Sequence, residues 1–381
     1  MNGKKILIFS TAYFPLIGGA EVAVKEITDR MNGYDFDMIT CRMNRSYPKQ
    51  EKIGNVNVVR IGPGVPLLDK IYLAFFGHRK ALKLHKQNNY CLVWSIMASF
   101  GGFAALRFKE LTNVKFLLTL QEGDSIDYIL KRVRFLKKRF KQIFVKADSL
   151  HAISNYLLKW GKDMGFQGKI AKVIPNGVNV EQFAANNSQL SDYTGQTRAE
   201  LDINSDDKLV ITVSRLVEKN GVGDLIKAME KLPENVKLLV VGSGKLEQEL
   251  KNLARHLSLD KRVYFLGFVR HDQLPKYLWA SDVFCRPSLS EGLGNVFLEA
   301  MAAKVPVVGT LVGGIPDFLD DGETGFVCKP GNPRSIAEVI KKVINLAHEK
   351  KKEIEKNSID LVRKKYNWED ITKKMEELMQ V

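Results

Sequence analysis

Two glutamates, Glu291 and Glu299, carry the densest chemistry in the chain, in the stretch SLSEGLGNVFLEAMAAKVPVVGT. Between them Leu293-Gly294-Asn295 makes a turn that opens a helix, and the first N–H groups of a helix have no partner inside it. Those groups and the helix dipole, worth about 0.3–1 kcal/mol to an anion, suit phosphate oxygens. Glu291 stays in the loop, beside whatever group such a phosphate carries. Glu299 falls inside VFLEAMAA, an apolar helix in which an unpaired acid is costly, and its carboxylate can accept both hydroxyls of a ribose. The blander alternative is two unrelated glutamates, one of them exposed.

Cations stand where a diphosphate needs them. In SRLVEKNG, Arg215 and Lys219 follow an apolar strand, and each charge-assisted hydrogen bond to a phosphate contributes about 1.5–3 kcal/mol. Surface cations are common, so these two alone decide little. In PLIGGAE, Gly18 and Gly19 let backbone approach a ligand at a helix start, or simply make a tight turn. In LTLQEGDS, Gln121, Glu122 and Asp124 lie at the carboxyl end of a strand, where polar side chains meet sugar hydroxyls; the alternative is a solvated loop with Asp124 or Ser125 capping the next helix. Residues 131–142, KRVRFLKKRFKQ, read as a basic amphipathic helix. Lys131, Arg132, Arg134, Lys137, Lys138, Arg139 and Lys141 supply its charge, suited to an anionic membrane surface or to a solvated outer face.

Positioning such loops takes strands. Short apolar runs (KILIFS, FDMIT, VNVVRI, CLVWS, FLLTL, SLHAI) alternate with helix-period segments such as Ala20, Val24, Ile27, Met31, the pattern of a doubly wound parallel sheet. A second series, KLVITVS, VKLLVVG, RVYFLG, DVFCRP and VPVVGT, follows a polar stretch without period. The chain therefore reads as α/β: a Rossmann-like domain over residues 1–186, a linker over 187–206, and a second Rossmann-like domain over 207–365. The expected ligand site is the cleft outside the carboxyl ends of the two sheets, completed by domain closure.

A chain of 381 residues with 45% hydrophobic and 27% charged residues has room for two cores and is neither disordered nor a disulfide scaffold. Cys41, Cys91, Cys285 and Cys328 form no CxxC pair and read as reduced thiols of a cytoplasmic protein. The N-terminal run reads as a first strand, not a leader, and no stretch is long enough to span a bilayer. Residues 1–186 hold 29 Lys plus Arg against 14 Asp plus Glu, and the remainder 29 against 29, so the formal +15 belongs to the first half. A field of that sign favours phosphorylated or membrane-bound partners.

The ordered set GGAE, IPNGV, SRLVEKNG, VVGSGKLEQEL, SEGLGNVFLEAMA, VGGIPD and DGETGFV resembles the retaining GT-B glycosyltransferases of family 4, over nearly the whole chain and most densely in the second half. The resemblance implies two Rossmann-like domains facing a cleft. It also implies retaining, metal-independent transfer of a hexosyl-type sugar from a UDP- or GDP-sugar to a glycan or lipid-linked acceptor, with no cofactor. Carried over residue by residue, Glu291 lies against the donor sugar and Glu299 on the ribose. Arg215, with Lys219, meets the diphosphate, as do Gly18–Gly19 and the main chain of Leu293, Gly294, Asn295 and Val296, while the backbone of Val269 reads the base. Gln121 is expected at the catalytic centre, Glu122 and Asp124 on the acceptor side. The last segment, about 366–381, resembles the family's final helix, which returns to the N-terminal domain. Three departures stand out. Gln121 replaces the usual histidine; Asn220 replaces the usual lysine, with Lys219 one position earlier; Asn179 and Asp317 replace the commoner Asp and Glu.

Two rivals remain at this stage. One is a nucleotide-sugar hydrolase or epimerase of the same fold, the other a non-catalytic polyanion-binding protein. The chain lacks the basic and aromatic interleaving of a nucleic-acid groove, and VVGSGKLE lacks the full dinucleotide fingerprint. The expected location is the cytoplasm, with peripheral attachment to the inner face of the membrane.

Overall fold

A run such as KILIF, hidden on both faces, satisfies its backbone only by pairing, and the apolar runs do form sheets. The structure is a computed structural model that describes residues 4–184 and 187–380. The chain divides into two compact units. The first runs to Gly177 and takes back Trp368 onward; the second is Val178–Asn367.

The first unit contains, in order, β1 (Lys4–Phe9), α1 (Gly19–Arg30), β2 (Tyr34–Cys41), β3 (Gln50–Ile53), β4 (Val56–Ile61), α2 (Pro66–Asn88), β5 (Leu92–Ile96), α3 (Phe100–Thr112), β6 (Lys115–Leu120), α4 (Ile126–Arg132), α5 (Lys137–Val145), β7 (Ser149–Ala152), α6 (Asn155–Asp163) and β8 (Ile170–Val173). Its sheet order is β3-β4-β2-β1-β5-β6-β7-β8. All pairings are parallel except that of β3 with β4. Trp94 on β5 donates its indole N–H to Thr119 on β6, which bonds His151 on β7, whose other ring nitrogen meets the Ile174 carbonyl. This buried chain of hydrogen bonds ties the middle strands together. Burial brings His151 down to about 4, so the ring stays neutral near pH 7.

The second unit contains α7 (Val180–Phe183), α8 (Asn187–Glu200), β9 (Lys208–Val213), α9 (Val222–Met229), β10 (Val236–Val241), α10 (Glu247–His256), β11 (Val263–Gly267), α11 (Leu274–Trp279), β12 (Val283–Cys285), α12 (Asn295–Ala302), β13 (Val307–Gly309), β14 (Phe326–Val327), α13 (Pro333–Ile344) and α14 (His348–Lys365). Its six strands run β11-β10-β9-β12-β13-β14, all parallel. Helix α15 (Trp368–Met379) belongs to the first unit, where it packs on α1 and buries Trp368, Ile371 and Met375 among Ile6, Val24 and Phe36. In each sheet the strand order reverses once, between β1 and β5 and between β9 and β12. The crevice at such a reversal, outside the carboxyl ends, is where α/β sheets bind ligands.

Two sequence expectations are corrected here. The supposed linker, 187–206, contains α8, and residues 178–184 also belong to the second unit. Helix α8 lacks an apolar stripe because hydrogen bonds anchor it instead. Thr194 Oγ1 donates to the Trp279 carbonyl, and Arg198 donates to the carbonyls of Ala280, Asn204 and Asp207. Residues 185 and 186 lie outside the described residues. The basic segment 131–142 is no continuous helix: α4 ends at Arg132, a 3₁₀ turn covers Arg134–Leu136, and α5 begins at Lys137. Its apolar residues part company, Phe140 into the core with Ile143 just beyond the segment, Phe135 out to solvent. Arg139 makes a two-pronged pair with Glu110 on α3.

Candidate active site

Three loops of the second unit meet at its strand reversal. The loop after β9 carries Arg215, exposed, and Lys219, half-buried. Asn220, fully enclosed, donates its side-chain amide to the Arg215 carbonyl at 2.7 Å and so fixes the loop's path. The Lys219 carbonyl accepts from the Leu289 N–H at 2.7 Å, which joins this loop to the one after β12. The departure at Asn220 thus has a structural use: an amide braces the turn where the family pattern puts a lysine.

The loop after β12 begins with Arg286, a buried guanidinium that donates to Ser288 Oγ at 3.1 Å and forms an ion pair with Glu291. Burial lowers Arg286 to about 10; Arg215 pushes the same way and Glu299 opposes. All three side chains are therefore in one electrostatic neighbourhood. Arg286 still carries its charge near pH 7, and the ion pair gives Glu291 a partner in a place where an unpaired carboxylate would be expensive.

The third loop, after β13, closes on Glu291 from the other side. The Gly314 N–H donates to the Glu291 carbonyl at 3.2 Å, and Gly313, at φ +58°, lies so close that a Cβ there would stand 1.7 Å from that oxygen. Gly294, at φ +97°, then turns the chain into α12, whose first residues Asn295 and Val296 are half-buried at the reversal while Leu293 is buried beneath. Glu299, the fifth residue of that helix, accepts from His271 Nε2–H at 3.0 Å, the ring lying in the 3₁₀ turn after β11. Val269, half-buried, stands two residues before His271. Arg215, Glu291 and Glu299 thus lie in one neighbourhood, with Arg286 and His271 beside them.

Neither addition was named from the sequence. Arg286 had a usable signal, a cation ending the apolar run DVFC, which demands a partner if the strand is buried. His271, in the polar turn VRHDQ, had none.

In the first unit, Gly18 caps the start of α1 with extended backbone and Gly19 is its first residue. At the end of β6, Glu122 is buried: one carboxylate oxygen accepts from the Ala98 N–H at 2.8 Å, and the other has no hydrogen-bond partner. Burial raises Glu122 to about 7 against backbone N–H donors that lower it, with Asp124 adding to the rise. Gln121, also buried, accepts from the Asn176 amide at 3.3 Å. Ser125 caps α4 by accepting from the Tyr128 N–H, so the capping alternative holds for that residue. Lys131, Arg132 and Arg134 line a shallow hollow of about 400 Å³ with Tyr128 and Phe135, and Lys137, Lys138 and Lys141 are exposed beyond it.

Among the described residues no group of three or more His, Cys, Asp or Glu side chains is placed to hold a metal ion, and no helix is long and apolar enough to cross a membrane.

Comparison with known proteins bears on what this arrangement does. The family model for glycosyl transferases group 1 matches residues 194–361, and that for glycosyltransferase family 4 matches residues 17–182. The N-acetyl-alpha-D-glucosaminyl L-malate synthase of Bacillus anthracis is 31% identical over 350 residues, 88% of this chain and 86% of the relative. Among solved structures, sucrose-phosphate synthase from Thermosynechococcus elongatus matches with a TM-score of 0.86 at 22% identity, covering 99% of this chain and 98% of the other. Anabaena HepE in complex with UDP-glucose matches with a TM-score of 0.79 at 21% identity, covering 99% of both chains. These likenesses show that the two units make the GT-B fold.

Proposed function

Since this chain belongs to the family 4 glycosyltransferases, we propose that it moves a hexosyl-type sugar from a UDP- or GDP-sugar to a glycan or lipid-linked acceptor, with retention and without a bound metal. The observation that carries the reading is the convergence of Arg215, Arg286, Glu291 and Glu299 at the strand reversal of the second unit. Glu291, steadied by Arg286, orients the donor sugar and stabilises positive charge developing at its anomeric carbon. Glu299 receives the ribose hydroxyls once it gives up or shares its bond to His271. The backbone at Val269, two residues from that histidine, meets the base.

Cleavage of the anomeric C–O bond leaves its electron pair on the diphosphate, which departs with one more negative charge than it carried in the donor. Arg215, Lys219 and the N–H groups at the start of α12 neutralise that charge, and each preorganised donor of this kind contributes about 2.7–4 kcal/mol to the transition state. The first unit offers, at the carboxyl end of its own sheet, Gly18–Gly19 for a phosphate and Gln121, Glu122 and Asp124 for sugar hydroxyls. Its excess of cations suits an acceptor that is phosphorylated or held at a membrane. The UDP-glucose held by Anabaena HepE supports starting with uridine donors.

The test is radiolabelled UDP- and GDP-sugars incubated with the protein and a panel of glycan and lipid-linked acceptors. Label joined to an acceptor is the expected product. Transfer should fall at least about tenfold in Glu291→Ala while its thermal transition stays near that of the parent. Free sugar as the only product, or an unimpaired Glu291→Ala, contradicts the reading.

A further inference from the structure

Helix α2 faces solvent with side chains that a water-exposed helix does not ordinarily carry. Its buried stripe is Asp69, Leu73, Gly77 and Ala81, four residues apart, and it packs on α3. On the opposite arc of its first three turns stand Leu67, Leu68, Ile71, Tyr72, Phe75 and Phe76, all exposed, Leu67 by 64% and Phe75 by 54%. Isolated exposed apolar residues are unremarkable, but six on one arc form a continuous patch of the kind that marks an interaction site.

Charge says what covers it. Continuing along the same arc, the next turns carry Arg79, Lys83 and Lys86, with Lys80 at its margin. The one acid of the helix, Asp69, is buried and accepts from the N–H groups of Met43 and Gly64, so the exposed face has none. A second copy of this chain docked face to face would bury these cations, against one another if the two helices run parallel and against the other copy's apolar half if they run antiparallel. An anionic bilayer satisfies both halves of the helix: apolar side chains enter between the headgroups at one end and cations rest on phosphates at the other.

We propose that the exposed face of α2 is a docking surface for an anionic lipid bilayer. The broken segment 126–145 is the poorer candidate. It exposes only Tyr128, Phe135 and Leu136 as large apolar side chains, against six on α2, and Arg139 is engaged with Glu110. The proposal concerns a surface remote in sequence from every residue given a role in transfer, so it stands or falls apart from the choice of donor.

Flotation of the full chain with vesicles tests it. The protein should rise with vesicles of phosphatidylcholine containing phosphatidylglycerol and stay behind with phosphatidylcholine alone. Arg79→Gln/Lys83→Gln/Lys86→Gln and, separately, Leu68→Ser/Phe75→Ser should each weaken binding about tenfold or more, while Lys131→Gln/Arg132→Gln/Arg134→Gln floats as the parent does. All five side chains changed on α2 are exposed, so the variants should keep the parental thermal transition. Parental flotation of both α2 variants would overturn the proposal. So would absence of flotation in the parent, or a dimer in solution that Leu68→Ser/Phe75→Ser dissociates.

Discussion

Arg286 shows how a single side chain sets the chemistry around it. Buried beside Glu291, it gives that acid an ion-pair partner at the strand reversal. Glu122 is the converse, a buried carboxyl with a backbone donor on one oxygen and no cation beside it. Its pKa rises from 4.5 to about 7, so the folded state resists ionisation there. The stability this group contributes is full below about pH 4.5 and is lost as pH rises through about 7, a change on the order of 3 kcal/mol. Glu122→Gln removes the charge, so its melting temperature relative to the parent should be clearly higher at pH 8 than at pH 5. An equal difference at both pH values contradicts the assignment. Glu291, Glu299 and Arg215 were legible in the sequence because a turn, a helix and a strand end lie beside them and have their own signals. His271 was not, because what gives it meaning is Glu299, a neighbour only in space.

Among elements, the loops matter more than the strands they leave. The Lys219 carbonyl joins two loops and the Glu291 carbonyl a third, so the site is a set of interlocked turns. Gly313 is where that locking is tightest. Gly313→Ala places a methyl group against the Glu291 carbonyl at a backbone angle that non-glycine residues avoid. Sugar transfer should drop about tenfold or more, since small displacements at a reacting centre are costly. Gly322→Ala, at φ +78° with nothing near its Cβ, is the control. It should lower the melting temperature and leave transfer per folded molecule intact. Matching losses of transfer in both would show that backbone strain, and not the closeness to Glu291, is responsible. Strands with continuous apolar runs were legible because burial on both faces leaves that imprint. Edge strands β3 and β8 and the two-residue β14 were not, since QEKI and IAKV are half-wet and short. Helix α8 escaped notice because hydrogen bonds, not an apolar stripe, hold it.

Over the whole molecule, two similar sheets differ in what fills their strand reversals. The second unit concentrates Arg215, Arg286, Glu291 and Glu299 at its reversal. The first half of the chain carries all of the net positive charge, and α2 in that half carries the exposed apolar face. The overall α/β plan and the family were legible from strand and helix alternation and from the ordered motifs, which local sequence dictates. Where one unit gives way to the other was not, because Val178–Phe183 joins the second unit through long-range contacts such as the Trp279 indole N–H to the Phe183 carbonyl. The central claim is that Arg215 and Glu299 grip one nucleotide diphosphate, and calorimetric titration of UDP and GDP reads it directly. One of the two should bind the parent protein, and Arg215→Ala and Glu299→Ala should each weaken that binding about tenfold to a hundredfold, the loss of one charge-assisted contact. Parental affinity in both variants would mean that the nucleotide lies elsewhere.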